Sequence, residues 1–254
     1  MKEEENDNIE KINILSVSEE GKEKEQNENI IFNIERDMKD VKYDRSIKII
    51  LLGNSMVGKS SIINRLCKKK YNENITSTAS IEYYNYIIKI NNYVIRMQIW
   101  DTAGQEKFDS IVTNYYHSTD YGIFVYSIDD QKSFRRLDDW LKEAEEKNTE
   151  KDNKMKSILL GNKKDLEKSK RVISYDDGQQ YAEKNNFMLF KEISCKDDAD
   201  NEVILEIFDL IAKDYYINYE LNRGSTELND SLNYEANSSI LEMSVKQIKK
   251  RKCC

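Results

Sequence analysis

From Ser46 onward, short apolar runs alternate with amphipathic stretches, the texture of an α/β chain. The runs predict strands over 46–52, 82–90, 93–100, 121–127, 156–161 and 187–193. Helical spacing predicts helices over 59–69, 131–148, 174–186 and 200–217. Within 131–148, Phe134, Leu137, Leu141 and Ala144 fall on one face with charges opposite. Asn91-Asn92 between the second and third runs reads as a tight hairpin turn, so that pair should be antiparallel. The other strands are separated by helices or long loops and should be parallel. The pattern predicts a six-stranded, mostly parallel sheet with one antiparallel strand and helices on both faces. Before Ser46, Glu, Lys and Asn dominate, and residues 1–45 are expected to form an acidic, disordered extension. Its one apolar cluster, Ile30-Ile31-Phe32 with Ile34, is the exception to that texture. After about Tyr219 the periodicity dissolves, leaving 220–254 as a flexible tail.

Charge sharpens this division. The 254 residues carry a formal net charge of −7, and residues 1–45 hold 14 acidic and 8 basic side chains, so nearly all the imbalance lies there. The remainder is close to neutral and offers no general nucleic-acid surface. Four cysteines, Cys67, Cys195, Cys253 and Cys254, show neither disulfide-framework nor zinc spacing. No apolar run approaches the ~20 residues that span a bilayer. The acidic start does not read as a signal segment, and Lys2 excludes N-myristoylation.

The chemistry begins after the first strand of the α/β region. Gly53-Asn54-Ser55-Met56-Val57-Gly58-Lys59-Ser60 fits the phosphate-binding pattern GxxxxGK[ST], with strand before and helix after. In that setting backbone N–H groups from Ser55 through Ser61 curl around an anion at the positive end of a helix. Gly58 lets the main chain approach phosphates without a Cβ in the way. Lys59 reaches the outer phosphates, and the Ser60 hydroxyl is placed to ligate Mg²⁺.

Two further segments narrow the nucleotide. Asp101-Thr102-Ala103-Gly104-Gln105 follows a strand: Asp101 to hold Mg²⁺ through water, Gly104 to offer its N–H to a terminal phosphate, and Gln105 to orient attacking water. Asn162-Lys163-Lys164-Asp165 supplies a carboxylate able to accept the N1–H and 2-amino group of guanine. Adenine has neither hydrogen there and would leave the charge unpaired, at several kcal/mol. The stem of Lys163 can lie over the purine. Ser194-Cys195-Lys196 completes the set, with the Cys195 N–H expected to meet the guanine carbonyl.

These residues carry a resemblance. From Ser46 to about Tyr219 the chain resembles a small GTPase of the Ras superfamily, and more closely the Rab family. The Rab-like stretches are RMQIWDTAGQEKF (Arg96 to Phe108), NYY (Asn114 to Tyr116), FVYSID (Phe124 to Asp129) and RLDDWL (Arg136 to Leu141). Thr78, 18 residues after Ser60, matches the switch threonine that senses the terminal phosphate through Mg²⁺. Tyr71 matches the aromatic ring that packs across guanine, and Tyr83, Trp100 and Tyr115 match the aromatic triad that presents the switch state to effectors. The chain departs from the pattern at Ala79-Ser80, where the Rab stretch carries a glycine, at the bulky Met56, and in a longer loop over 147–156.

At the C-terminus, Lys246, Lys249, Lys250, Arg251 and Lys252 precede Cys253-Cys254. The resemblance implies two geranylgeranyl chains on those cysteines. Two lipids anchor stably where one does not, and basic residues add attraction to anionic lipid. The implied protein is a monomeric, membrane-attached switch in vesicle trafficking that binds GTP or GDP with Mg²⁺ and hydrolyses GTP slowly without a GAP. Its implied partners are an exchange factor, a GAP, a GDP-dissociation inhibitor, a prenylation escort and effectors. Its implied location is the cytoplasmic face of an intracellular membrane, with a cytosolic pool. Three alternatives stand beside it: a soluble Ran-like transport GTPase, an ATP-dependent P-loop kinase, and a weakly hydrolysing GTP-binding scaffold.

Overall fold

The computed structural model describes residues 9–14, 28–68, 71, 82–102, 116–148 and 154–221. They contain eight strands: β1 (Ile9–Ile14), β2 (Glu28–Arg36), β3 (Arg45–Leu52), β4 (Glu82–Ile90), β5 (Tyr93–Asp101), β6 (Tyr121–Ser127), β7 (Lys156–Asn162) and β8 (Leu189–Glu192). The α-helices are α1 (Lys59–Lys68), α2 (Gln131–Arg135), α3 (Leu137–Lys147), α4 (Glu167–Lys170), α5 (Tyr175–Lys184) and α6 (Asn201–Tyr215). They fall into two compact units, one drawn from residues 46–86 and 96–206, the other from 1–45, 87–95 and 207–254.

The larger unit contains the site. Its strands run β4-β5-β3-β6-β7-β8. The order doubles back at β3, since β6 pairs beside it in parallel, and β7 and β8 follow in parallel. All seven residues of β6 are buried, as a strand covered on both faces requires. One core cluster packs Leu137, Trp140 and Ala144 of α3 and Ala182 of α5 against Phe124, Tyr126 and Leu159. Local chemistry sets the helix starts. Asp130 accepts from the Lys132 N–H before α2, and Ser174 and Asp177 form a reciprocal capping box before α5. The single helix expected over 131–148 is two, because Arg136 adopts φ −76, ψ −5 and interrupts the regular turn.

In the smaller unit, residues 9–14 and 28–36, expected to be disordered with the rest of 1–45, form strands. Here β2 pairs antiparallel with β4, Ile34 opposite Ile90 and Arg36 opposite Ile88, and β1 pairs antiparallel with β2. Within this unit the strands run β1-β2-β4, two strands and two antiparallel pairs beyond those the sequence predicts. Phe32 is fully buried and Ile34 nearly so. Phe32 meets the Tyr216 ring edge-on at 6.3 Å and carries the Lys213 ammonium over its face. Alternation of Phe32 and Ile34 with exposed Asn33 and Glu35 is strand periodicity, and it outweighs the polar average of the segment. The turn Asn91-Asn92 forms as expected, with Asn91 at φ 54. A π-helical turn, Tyr216–Leu221, ends the described chain.

Candidate functional site

The phosphate loop leaves β3 and enters α1. Gly53 sits at φ +144, where a Cβ would lie 2.1 Å from the Val125 carbonyl oxygen. Gly58 sits at φ +104, where a Cβ would lie 2.1 Å from Asn162 Nδ2. Both positions admit only glycine, for torsion and for space. Lys59 is 5 % exposed and donates to the carbonyls of Gly53, at 2.8 Å, and Asn54, at 3.0 Å. Its ammonium thus spans the loop it would serve. Ser55 is exposed, Val57 buries its side chain, and Ser60 and Ser61 are half-buried at the helix start. Met56 is 64 % exposed with φ 65, a left-handed conformation that costs a non-glycine residue about 1–2 kcal/mol.

At the end of β5, Asp101 is fully buried. Its Oδ2 accepts from the Ser60 hydroxyl at 2.5 Å, and its Oδ1 has no hydrogen-bond partner among the described residues. Burial pushes its pKa above the ordinary carboxylate value, opposed by the Ser60 hydrogen bond and nearby Lys59. A buried carboxylate oxygen in need of a partner, beside a hydroxyl oxygen, fits a hard divalent cation such as Mg²⁺. Thr102 donates to the Leu51 carbonyl at 2.6 Å and pins this strand end to β3.

Asn162 joins the two halves of the site. Its Nδ2 donates to the Val57 carbonyl at 2.8 Å, and its Oδ1 accepts from the Cys195 N–H at 3.3 Å. The Cys195 N–H, expected to meet the guanine carbonyl, here reaches the buried amide oxygen of Asn162. Lys163 takes a left-handed φ of 66 and holds its Nζ 3.7 Å from Asp129 Oδ1. Asp165 is exposed and accepts from the Ser194 hydroxyl at 2.6 Å. Ser194 is buried, and its oxygen accepts from the N–H groups of Lys196, at 3.2 Å, and Asp197, at 3.1 Å. Burial pushes the Cys195 thiol up to about 12.

Two residues escaped the sequence reading. Arg65, only 1 % exposed, donates from α1 to the carbonyls of Cys195 and Lys196 and to Asp198. The signal was a charge at apolar-face spacing, between Ile62 and Leu66. Trp140 donates its indole N–H to Asn54 Oδ1 at 3.1 Å and steadies the loop's first turn. No local pattern marked that pair.

Tyr71 lies with the Arg65 guanidinium 6.0 Å from its ring centroid. The Tyr83 and Trp100 rings meet at a tilt of 55° with centroids 5.0 Å apart, Tyr83 is 40 % exposed, and Gln98 donates to the Tyr83 hydroxyl at 3.0 Å. Thr78, Gly104, Gln105, Tyr115, Cys253 and Cys254 lie outside the described residues. The larger unit therefore brings together the phosphate loop, Asp101, the Asn162 tetrad and the Ser194 loop. No described helix is long and apolar enough to cross a membrane.

The Ras family model matches residues 48–216. The chain is 36% identical over 201 residues to Ras-related protein Rab-11B of Dictyostelium discoideum, covering 79% of this chain and 88% of that one. It is 37% identical over 160 residues to GTP-binding protein YPT1 of Saccharomyces cerevisiae, covering 63% and 75%. It is 36% identical over 181 residues to Ras-related protein Rab-1 of Theileria parva, covering 71% and 80%. With a nucleotide cradle of this form and relatives of this kind, the chain belongs to the Rab family of Ras-superfamily small GTPases, which bind guanine nucleotide, hydrolyse GTP and serve vesicle trafficking.

Proposed function

We propose that this GTPase holds its nucleotide between the phosphate loop, Ser55 to Ser61, and the base-reading set Asn162, Lys163, Asp165, Ser194, Cys195 and Lys196. The observation that carries this reading is the pair of hydrogen bonds of the Asn162 amide, which accepts from the Cys195 N–H and donates to the Val57 carbonyl. One side chain thus fixes the spacing between the phosphate end and the base end. Asp165 keeps unused acceptor capacity after its bond to Ser194 and takes the two guanine hydrogens. Tyr71 covers the base from the side of α1.

Ser60, Asp101 and Thr78 are the proposed Mg²⁺ set. The ion, when bound, neutralises phosphate charge. Lys59 moves its ammonium from the Gly53 and Asn54 carbonyls to the outer phosphate oxygens, a short displacement along the loop. Gln105 orients the attacking water, and Thr78 and Gly104 hold the two switch segments only while the terminal phosphate is present. Tyr83 and Trp100, in tilted ring contact and partly exposed, report that state to effectors with Tyr115. An exchange factor, a GAP and a GDP-dissociation inhibitor act on the cycle, as regulators do for the family. Cys253 and Cys254 carry prenyl chains that hold the protein to the cytoplasmic face of an intracellular membrane, with a cytosolic pool.

The test is competition of GTP and GDP against ATP for the purified chain, followed by single-turnover hydrolysis. Guanine nucleotides should win, hydrolysis should be slow, and Gln105→Leu should slow it further. Equal rates in wild type and variant remove Gln105 from its role. A Cys253→Ser/Cys254→Ser variant should lose its lipid partition; retention would overturn the anchor.

A further inference from the structure

We propose that Arg65 is a positioning residue for guanine recognition, acting on Asp165 through Ser194; the proposal rests on the reading of Asp165 as the base-reading carboxylate. The guanidinium makes three bonds to one short loop. Nε donates to the Cys195 carbonyl at 2.6 Å, Nη2 to the Lys196 carbonyl at 3.1 Å and Nη1 to Asp198 Oδ1 at 2.6 Å. A trans peptide unit is planar, with its C=O and N–H pointing opposite ways. Fixing the Cys195 carbonyl therefore aims the Lys196 N–H, and fixing the Lys196 carbonyl aims the Asp197 N–H. Both N–H groups land on Ser194 Oγ.

A serine hydroxyl has two acceptor lone pairs and one hydrogen. With both lone pairs occupied, the hydrogen is the remaining bonding capacity, and it is given to Asp165 Oδ1 at 2.6 Å. Arg65 thus sets the polarity of the chain ending on the carboxylate that reads the base. The same side chain leaves α1, the helix that opens at the phosphate loop, and faces Tyr71. Only a planar fork reaches three acceptors in this arrangement; a lysine ammonium would not span them.

The experiment measures dissociation constants for GDP and for inosine diphosphate on full-length wild type, Arg65→Ala, Arg65→Lys and Ser194→Ala. Hypoxanthine keeps N1–H but lacks the 2-amino group, so the GDP preference reports how well Asp165 is aimed. Arg65→Ala should narrow that preference about fivefold or more, with Arg65→Lys between it and wild type. Ser194→Ala should narrow it similarly, and Arg65→Ala added to Ser194→Ala should narrow it no further. If Arg65→Ala weakens both nucleotides equally, Arg65 merely holds structure and the proposal is overturned. Should Arg65→Ala not fold, an unchanged preference in Ser194→Ala overturns it. A wild type indifferent to guanine against adenine instead removes Asp165 from base reading, a failure of the underlying assignment.

Discussion

Arg36 and Asp209, 173 positions apart, form a two-pronged ion pair, with Nε donating to Oδ1 at 3.0 Å and Nη2 to Oδ2 at 2.5 Å. The aspartate side chain is only 7% exposed. This pair, with buried Phe32 and Ile34, makes the segment from Glu28 a part of the folded smaller unit. Removing the guanidinium deletes a two-pronged, charge-assisted bond to a mostly buried carboxylate. Arg36→Ala should therefore cost about 1.5–3 kcal/mol of unfolding free energy, read by urea denaturation of GDP-loaded protein. A chain starting at Ser46 should lose more, since it also forfeits burial of Phe32 and Ile34. If that truncated chain is as stable as the full one, β2 contributes nothing to the fold.

Gly58→Ala should abolish nucleotide retention. Its Cβ would stand 2.1 Å from Asn162 Nδ2, in a conformation that alanine avoids. The displaced amide would release both Val57 and Cys195. Nucleotide content after gel filtration is the readout, and full occupancy would contradict the geometry.

Chelation of Mg²⁺ should accelerate GDP release about tenfold or more, a loss of at least ~1.4 kcal/mol of binding. Ser60→Ala should already release fast and respond little to chelator. A chelator response of the same size in both proteins would take Ser60 out of the metal site.

Met56→Gly relieves a left-handed residue of about 1–2 kcal/mol of strain. Urea denaturation of GDP-loaded protein should show a gain no larger than that, since glycine also adds unfolded-state entropy. Single-turnover hydrolysis should quicken as the exposed thioether leaves the loop mouth. A slower variant would show that Met56 assists the reaction.

Cys195 supplies a pH prediction. Burial raises its thiol from the ordinary 9.0 to about 12, so the folded state favours the neutral form. The associated stability is fully present below pH 9 and is lost as pH rises from there toward 12. At pH 8 the buried thiol stays neutral, so Cys195 should resist iodoacetamide until the protein is unfolded. Rapid labelling of the native protein, mapped by mass spectrometry, would contradict this burial.

Much of the larger unit was legible because its signals are local. All six expected strands and the starts of α1 and α5 lie within two residues of their predicted places, since apolar runs, Ser174 and the GKS helix start act over a few positions. The phosphate-loop, Asp101 and Asp165 motifs are likewise read from residue types at short fixed spacing. Arg65 was not: a helical arginine reads as a surface charge until a loop 130 residues away supplies its acceptors. The strand at Glu28–Arg36 was missed because its polar residues lowered the average, while its apolar residues needed β4 and Tyr216 to bury them.

By itself, then, the amino-acid order determined the local elements, the nucleotide-binding motifs and the family, all of which rest on short-range periodicity and on side-chain chemistry at fixed spacing. Only the tertiary structure decided that residues 28–36 of an acidic segment pair as a strand, that the Cys195 N–H is held by Asn162, and that Arg65 orders the loop beside Asp165. Those outcomes depend on which distant groups share buried space, where an unpaired polar atom is costly and each donor takes the acceptor within its reach.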